Sequence, residues 1–117
     1  MSRPAFITLP ALDRVDDLLA HFARKGRPEA AAKLLVSVEE ALQRIGSAPD
    51  QGRSFPGGYR NLSVLNLRWI KVHRYWFGFT MDERAGHPVV TQLLFDQADM
   101  PRRLLRAGTP VPWPGAS

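Results

Sequence analysis

The chain has 117 residues, 44% of them hydrophobic and none of them cysteine, a composition that fits one globular domain and excludes a disulfide framework or a thiolate metal site. No apolar run approaches the ~18 residues of a membrane span, and the N-terminus lacks the apolar core of a signal peptide, so we expect a cytoplasmic protein with no membrane partner. The formal net charge of +5 favours an acidic or polyanionic partner.

The first part of the chain predicts a strand followed by two helices. Residues 3–9 are short, apolar and bounded by prolines, which favours a first strand. Apolar residues then recur at helical spacing over 11–25, and Gly26 marks the end of that helix. A second helix is predicted over 28–45, closed by Gly46. Because the break between the two helices is so short, we expect an antiparallel helical hairpin.

The second part of the chain changes from helical to extended periodicity after a loop rich in Gly, Pro and Ser at 46–58. Strands are predicted over 59–65, 68–81 and 89–95, with a hairpin loop at 82–87. This order predicts an α+β fold in which the helical hairpin packs on a three-stranded antiparallel sheet. The first strand is expected to pair with the last one in the middle of the sheet.

The chain is predicted to be one domain over residues 1–108. The remaining residues, 109–117, read TPVPWPGAS, and their alternating prolines predict an extended, flexible tail.

Residues 59–77 interleave basic and aromatic side chains. The basic ones are Arg60, Arg68, Lys71, His73 and Arg74. On an uninterrupted strand, alternation places Lys71 and His73 on one face and Arg68 and Arg74 on the other, which argues against one compact catalytic cluster. The aromatic residues are expected in the core, and the basic ones are expected to face an acidic protein or a phosphate backbone.

Histidine is the residue best suited to proton transfer near neutral pH, so His73 is the candidate acid or base if this chain cleaves RNA. A solvated strand position is the structural alternative for His73. For Arg60 the alternative to a phosphate or partner contact is an ion pair with Asp50 or Asp99. The three histidines fall on different elements, so neither a metal site nor a cofactor is predicted.

Several short segments carry a family likeness through their order and spacing. They are Asp17-Leu18, Ala31-Ala32-Lys33, Ala48-Pro49-Asp50-Gln51-Gly52-Arg53, Tyr59-Arg60-Asn61-Leu62, Arg74-Tyr75-Trp76-Phe77 and Leu93-Leu94-Phe95-Asp96-Gln97-Ala98-Asp99. Together, over roughly residues 3–106, they resemble the RelE/ParE superfamily of type II toxin–antitoxin toxins. The resemblance implies a β-α-α-β-β-β fold.

Within that superfamily, the resemblance favours the ParE-like, plasmid-stabilisation branch. The sequence departs from the ParE-like pattern at two positions, since Phe95 stands where those members usually have a His and Ala98 where they have an Arg, while Asp99 is kept. The RNA-cleaving branch typically has a Tyr or His near the C-terminus, whereas here no Tyr follows Tyr75 and no His follows His87. The resemblance thus implies a toxin that inhibits DNA gyrase by binding. The alternatives are a RelE-like ribosome-dependent mRNA endoribonuclease and a degenerate, non-toxic family member.

The resemblance also implies partners and contact residues. An acidic antitoxin segment, disordered before binding, would cover grooves beside the sheet and helices and form a toxin–antitoxin hetero-oligomer. The residues expected to bind a partner or phosphate are Arg53, Arg60, Arg68, Lys71 and Arg74. In the ParE-like branch the C-terminal region helps to engage the target, and Trp113 has the apolar area to anchor such a contact. No catalytic residue is implied unless the chain is a ribonuclease, in which case it is His73.

Overall fold

A computed structural model describes residues 5–48, 67–82, 86–95 and 105–114 of the chain. Its elements in chain order are β1 Phe6–Thr8, α1 Leu9–Arg24, α2 Pro28–Ser47, β2 Arg68–Val72, β3 Tyr75–Asp82, β4 His87–Phe95 and β5 Pro110–Val111. The strand predicted over 59–65 lies outside the described residues.

The strands form one five-stranded sheet in the order β2-β3-β4-β1-β5. β2, β3 and β4 are antiparallel neighbours, β1 runs parallel to β4, and β5 runs antiparallel to β1. The α+β class and the pairing of the first strand with β4 agree with the sequence analysis. The sheet is mixed, however, and not the predicted three-stranded antiparallel one, because the helical hairpin is long enough to carry the chain across to a parallel pairing.

The start of α1 and the turn after it follow from local sequence. The hydroxyl of Thr8 accepts a hydrogen bond from the N–H of Ala11 at 3.4 Å, which caps the helix, and Pro10 lies in the first turn. Gly26 has a φ of 63°, a left-handed conformation that glycine adopts without steric cost, and the chain leaves α1 there as predicted.

The second helix is longer than predicted. Gly46, expected to close it, lies inside α2, which continues to Ser47. Glycine lowers helix propensity by only about 1 kcal/mol relative to alanine. The neighbouring Ile45 is 1% exposed in the core, so packing keeps the helix intact through Gly46.

The hydrophobic core lies between the helical hairpin and one face of the sheet. Its largest fully buried members are Ile7, Leu34, Leu42, Ile45, Phe77, Phe79 and Leu93. A second, smaller cluster of Trp69, Trp76 and Leu94 forms separately from this core. Because Lys71 pairs directly with Trp76 across β2 and β3, its side chain belongs to the same sheet face as this second cluster.

The stretch predicted as one strand over 68–81 is a β-hairpin, so that prediction is wrong. The chain reverses in a two-residue turn at His73 and Arg74, closed by the pair Val72↔Tyr75. His73 has a φ of 56°. Two-residue hairpin turns require a positive φ of this kind, and Asn or Gly is the usual residue that adopts it. The alternation of side chains therefore does not continue through the turn. Arg68 and Lys71 do lie on opposite faces of β2, as predicted, but His73 and Arg74 belong to the turn and not to either face of one strand.

A β-bulge in the centre of the sheet aligns the core residues of β4. Gly78 pairs with Gln92 and Phe79 pairs with Val90, which leaves Thr91 as the extra residue. The bulge lets both Leu93 and Val90 join the helix-side core. Gly78 also packs directly against the indole ring of Trp69. A Cβ at this position would lie 3.0 Å from two atoms of that ring, so there is little room for a larger residue.

Residues 105–114, which include the described part of the predicted tail from 109 onward, pack on the sheet. The side chain of Gln92 donates to the carbonyl of Leu105 at 2.8 Å and accepts from its N–H at 2.6 Å. Further along, the N–H of Leu9 donates to the carbonyl of Thr109 at 2.9 Å, and Pro110–Val111 pair with β1. Trp113 is 7% exposed and belongs to the hydrophobic core.

Replacing Trp113 by alanine tests whether this segment is part of the domain. If Trp113 packs in the core in solution, Trp113→Ala should lower the free energy of unfolding by about 3–5 kcal/mol, because a large buried side chain leaves a cavity. Urea unfolding measures the change, and Pro112→Ala at the exposed neighbouring position serves as the control. Equal stabilities of the two variants would mean that residues from 109 onward form the flexible tail that the sequence predicts.

Candidate functional site

A groove runs between the α1–α2 corner, the β2–β3 turn and the end of β4. It has two halves, one of about 420 Å³ beside the β2–β3 turn and one of about 460 Å³ beside α1. Both halves are lined by Phe22, Arg27 and Phe95, so they form one continuous surface feature, which we call the basic groove.

The floor of the basic groove is aromatic. Phe22 is 8% exposed, Tyr75 is 3% exposed, and Phe95 is half-buried. Tyr75 and Phe95 are directly paired across β3 and β4, and their rings meet edge to face at 5.2 Å between centroids. The strand pairing therefore holds two of the three floor rings in a fixed arrangement.

The cations of the groove come from both of its walls. Arg27 and Lys33 belong to the helix side, and Arg74 belongs to the β2–β3 turn; all three are exposed. Arg14, on α1, lines the other half. Four basic side chains thus line the groove together with the carboxylates of Asp17 and Glu29. His21 and His73 add two imidazoles.

The α1–α2 corner fixes the position of Arg27. Its backbone N–H donates to the carbonyl of Phe22 at 2.9 Å, and its carbonyl accepts from the N–H of Ala31 at 3.2 Å. The residue is therefore the N-terminal cap of α2 and is joined by its backbone to a residue of the floor. The backbone of Arg27 is therefore fixed while its side chain is exposed, and an exposed guanidinium is suited to bind a carboxylate or phosphate.

His73 joins the β2–β3 turn to α2. Its Nε2 lies 3.5 Å from Oε2 of Glu40, which is also 3.6 Å from the guanidinium of Arg44. The side chains of His73 and Glu40 are 34% and 39% exposed. When the imidazole is protonated, the contact is an ion pair that holds the turn, and with it Arg74, next to the helix wall of the groove.

The structure separates the residues that the sequence grouped together. His73 and Arg74 line the basic groove. Arg68 and Lys71 are exposed on β2 but are not among the lining residues, and the ammonium of Lys71 lies 5.8 Å from the ring centroid of Trp76. Trp113 is in the core. Arg53 and Arg60 lie outside the described residues, so their proposed roles stay predictions.

From the sequence alone, no functional role was assigned to several residues that line the groove. They are Arg14, Phe22, Arg27, Glu29, Lys33 and Phe95. The helix break at Gly26 does predict that Arg27 lies at one end of the helical hairpin. Its position near the β2–β3 turn, however, could not be predicted, because the sequence pattern did not predict that turn.

Two features are absent from the parts of the chain that the structure describes. These residues contain no group of three or more side chains that could hold a metal ion. Neither described helix is long and apolar enough to cross a membrane.

A double-mutant cycle tests the contact between the turn and α2. We expect the coupling between His73→Asn and Glu40→Gln to be about 0.2–1 kcal/mol, the range of partly exposed ion pairs, and to decrease in added salt. Asparagine is chosen because it tolerates the positive φ of this position. The coupling is measured from urea unfolding at a pH where the imidazole is charged. A coupling of zero at low salt would mean that the contact does not form in solution.

Comparison of the chain with family models, with curated proteins and with solved structures gave no match.

Proposed function

We propose that this chain is a RelE/ParE-like toxin domain that acts by binding, and that its basic groove holds an acidic segment of the cognate antitoxin. The observation that carries the proposal is the groove itself, in which Arg27, Lys33 and Arg74 surround an aromatic floor. The order of β1, α1, α2 and the β2–β4 strands also agrees with the fold of that superfamily, which supports the proposal.

The two components of the groove have different roles in this proposal. Exposed cations raise the rate of encounter with an acidic segment and disfavour basic competitors, but each contributes little affinity. The aromatic floor supplies the apolar area that an antitoxin segment needs to offset the entropy lost when it becomes ordered. An acidic, partly apolar segment therefore fits the groove better than a uniformly charged one.

The proposed target is DNA gyrase, inhibited without catalysis by this chain. This branch is favoured because no Tyr follows Tyr75 and no His follows His87 in the sequence, whereas of the ParE-like residues near the end of the last strand only Asp99 is kept. A target contact through the ring of Trp113 would require residues 109–114 to leave the sheet, because that ring is in the core. Exposed residues of the same segment, such as Pro112, can reach a target without such a change.

A second candidate function, ribosome-dependent mRNA cleavage, is favoured by one specific observation. The pocket beside the β2–β3 turn brings His73 together with Lys33 and Arg27, which the sequence analysis did not expect. Such a set could supply an acid or base and stabilise charge on a cleaved phosphodiester. Against it, Nε2 of His73 is directed at Glu40, so only the other ring nitrogen would be available to a substrate.

The two candidate functions differ in what they require of His73. For the binding toxin we expect purified protein to inhibit supercoiling by gyrase, to leave mRNA on programmed ribosomes intact, and to keep its potency in His73→Asn, which tolerates the positive φ of this position. A ribonuclease that uses this imidazole should instead lose about 10²–10⁴ in cleavage rate. Inhibition of neither process, with no growth defect on expression, would identify a non-toxic member.

The antitoxin contact is tested by charge reversal in the groove. We expect an adjacent reading frame to encode a protein with an acidic segment, and Arg74→Glu to weaken its binding about tenfold or more, which corresponds to about 1.4 kcal/mol. Lys71→Glu is the matched control, since it makes the same charge change on β2 outside the groove. Equal losses from both variants, measured by titration calorimetry, would place the contact elsewhere.

A further inference from the structure

We propose that the segment bound in the basic groove carries one large apolar side chain between acidic residues, and that this side chain inserts onto the floor of Phe22, Tyr75 and Phe95. This inference rests on the proposed function and specifies the chemistry of the partner. It concerns the half of the groove beside the β2–β3 turn, where the three rings come together.

The depth of the floor indicates that a large side chain is needed to reach it. Phe22 and Tyr75 retain 8% and 3% of their accessible surface, so they lie below the exposed cations of the rim. A volume of about 420 Å³ is at the small end of the range of ligand pockets and holds one large side chain with part of its backbone. Aromatic side chains bury about 150–250 Å² each and prefer offset or edge-on contact with other rings, which this floor offers.

The positions of the cations favour carboxylates on both sides of that apolar residue. Arg27 and Lys33 stand on the helix wall, and Arg74 stands on the wall formed by the β2–β3 turn. A guanidinium binds a carboxylate through two parallel hydrogen bonds, and the two arginines come from different elements. A chain that lies along the groove can therefore place one carboxylate on each wall while its apolar side chain points down.

The carboxylates of the groove disfavour a nucleic acid as the occupant. Glu29 lines the half beside the turn and Asp17 lines the half beside α1, so a uniformly anionic phosphate backbone would meet a negative charge in each half. A peptide can place neutral residues opposite Glu29 and Asp17 and keep its own carboxylates near the arginines. The groove therefore fits an acidic peptide with spaced charges.

The experiment measures binding of short fluorescent peptides and an oligonucleotide to the full chain by anisotropy. One peptide carries a central Phe flanked by Glu residues, the second has Ser in place of that Phe, and single-stranded oligo(U) is the nucleic-acid probe. We expect the Phe peptide to bind at least about tenfold more tightly than the Ser peptide, the difference expected of a buried apolar anchor.

A pocket-filling variant locates the anchor. Ala30 lines only the half beside the turn, so Ala30→Leu should remove most of the advantage of the Phe peptide and leave binding of the Ser peptide nearly unchanged. Ala32→Leu, at an exposed position of the same helix outside the groove, is the matched control and should change neither. Circular dichroism confirms that both variants fold.

Three outcomes would overturn the inference. Equal binding of the Phe and Ser peptides, both weakened by Arg74→Glu, would exclude the anchor and leave the acidic-partner proposal standing. Tighter binding of oligo(U), sensitive to Ala30→Leu, would assign the groove to RNA. Binding of neither peptide would exclude this peptide chemistry, and capture of the co-encoded antitoxin would then decide the proposed function separately.

Discussion

The parallel pairing of β1 with β4 is the constraint on which the arrangement of this chain depends. Two parallel neighbours cannot be joined by a tight turn, and here the chain between β1 and β4 includes the α1–α2 hairpin as well as β2 and β3. The hairpin then covers the sheet face that carries Phe77, Phe79 and Leu93. One consequence is that the α1–α2 corner reaches the end of β4 at Phe95, where the basic groove forms.

The β2–β3 turn completes the groove, and its geometry comes at a local cost. A non-glycine residue in the left-handed region costs roughly 1–2 kcal/mol, and His73 adopts it at a φ of 56°. The pair Val72↔Tyr75 and the contact between His73 and Glu40 hold the residue there. Strained positions of this kind concentrate at functional sites, and this one is next to Arg74, which lines the basic groove.

The sequence predicts this fold best where a single residue or a regular spacing decides the local structure. The apolar stripes identify both helices, and Gly26 identifies the corner because only glycine adopts its φ readily. The β2–β3 turn was missed because His73-Arg74 has none of the usual turn residues and lies in a stretch rich in aromatic and β-branched residues. The core position of Trp113 was missed because three nearby prolines resemble a mobile end, whereas its burial depends on tertiary packing. The groove was predicted only in part. Arg74 was named from the sequence as a residue that binds a partner or phosphate, whereas Arg27 lines the groove only because the α1–α2 corner lies next to the β2–β3 turn.

Charge alone does not distinguish the basic groove from the rest of this surface. The chain has a net charge of +5, and exposed cations such as Arg68 and Lys71 lie on β2 outside the groove. Within the groove, Asp17 and Glu29 offset half of the four cations, so its electrostatic attraction is modest and falls with salt.

What the groove has in addition to its charge is a recessed floor of three rings, two of them fixed by strand pairing. A polyanion without apolar groups gains nothing from that floor, and an apolar segment without acidic groups gains nothing from the rim. In the function proposed above, the combination would favour a partner that has both. The combination depends on tertiary structure because the rings and cations come from four separate elements of the chain.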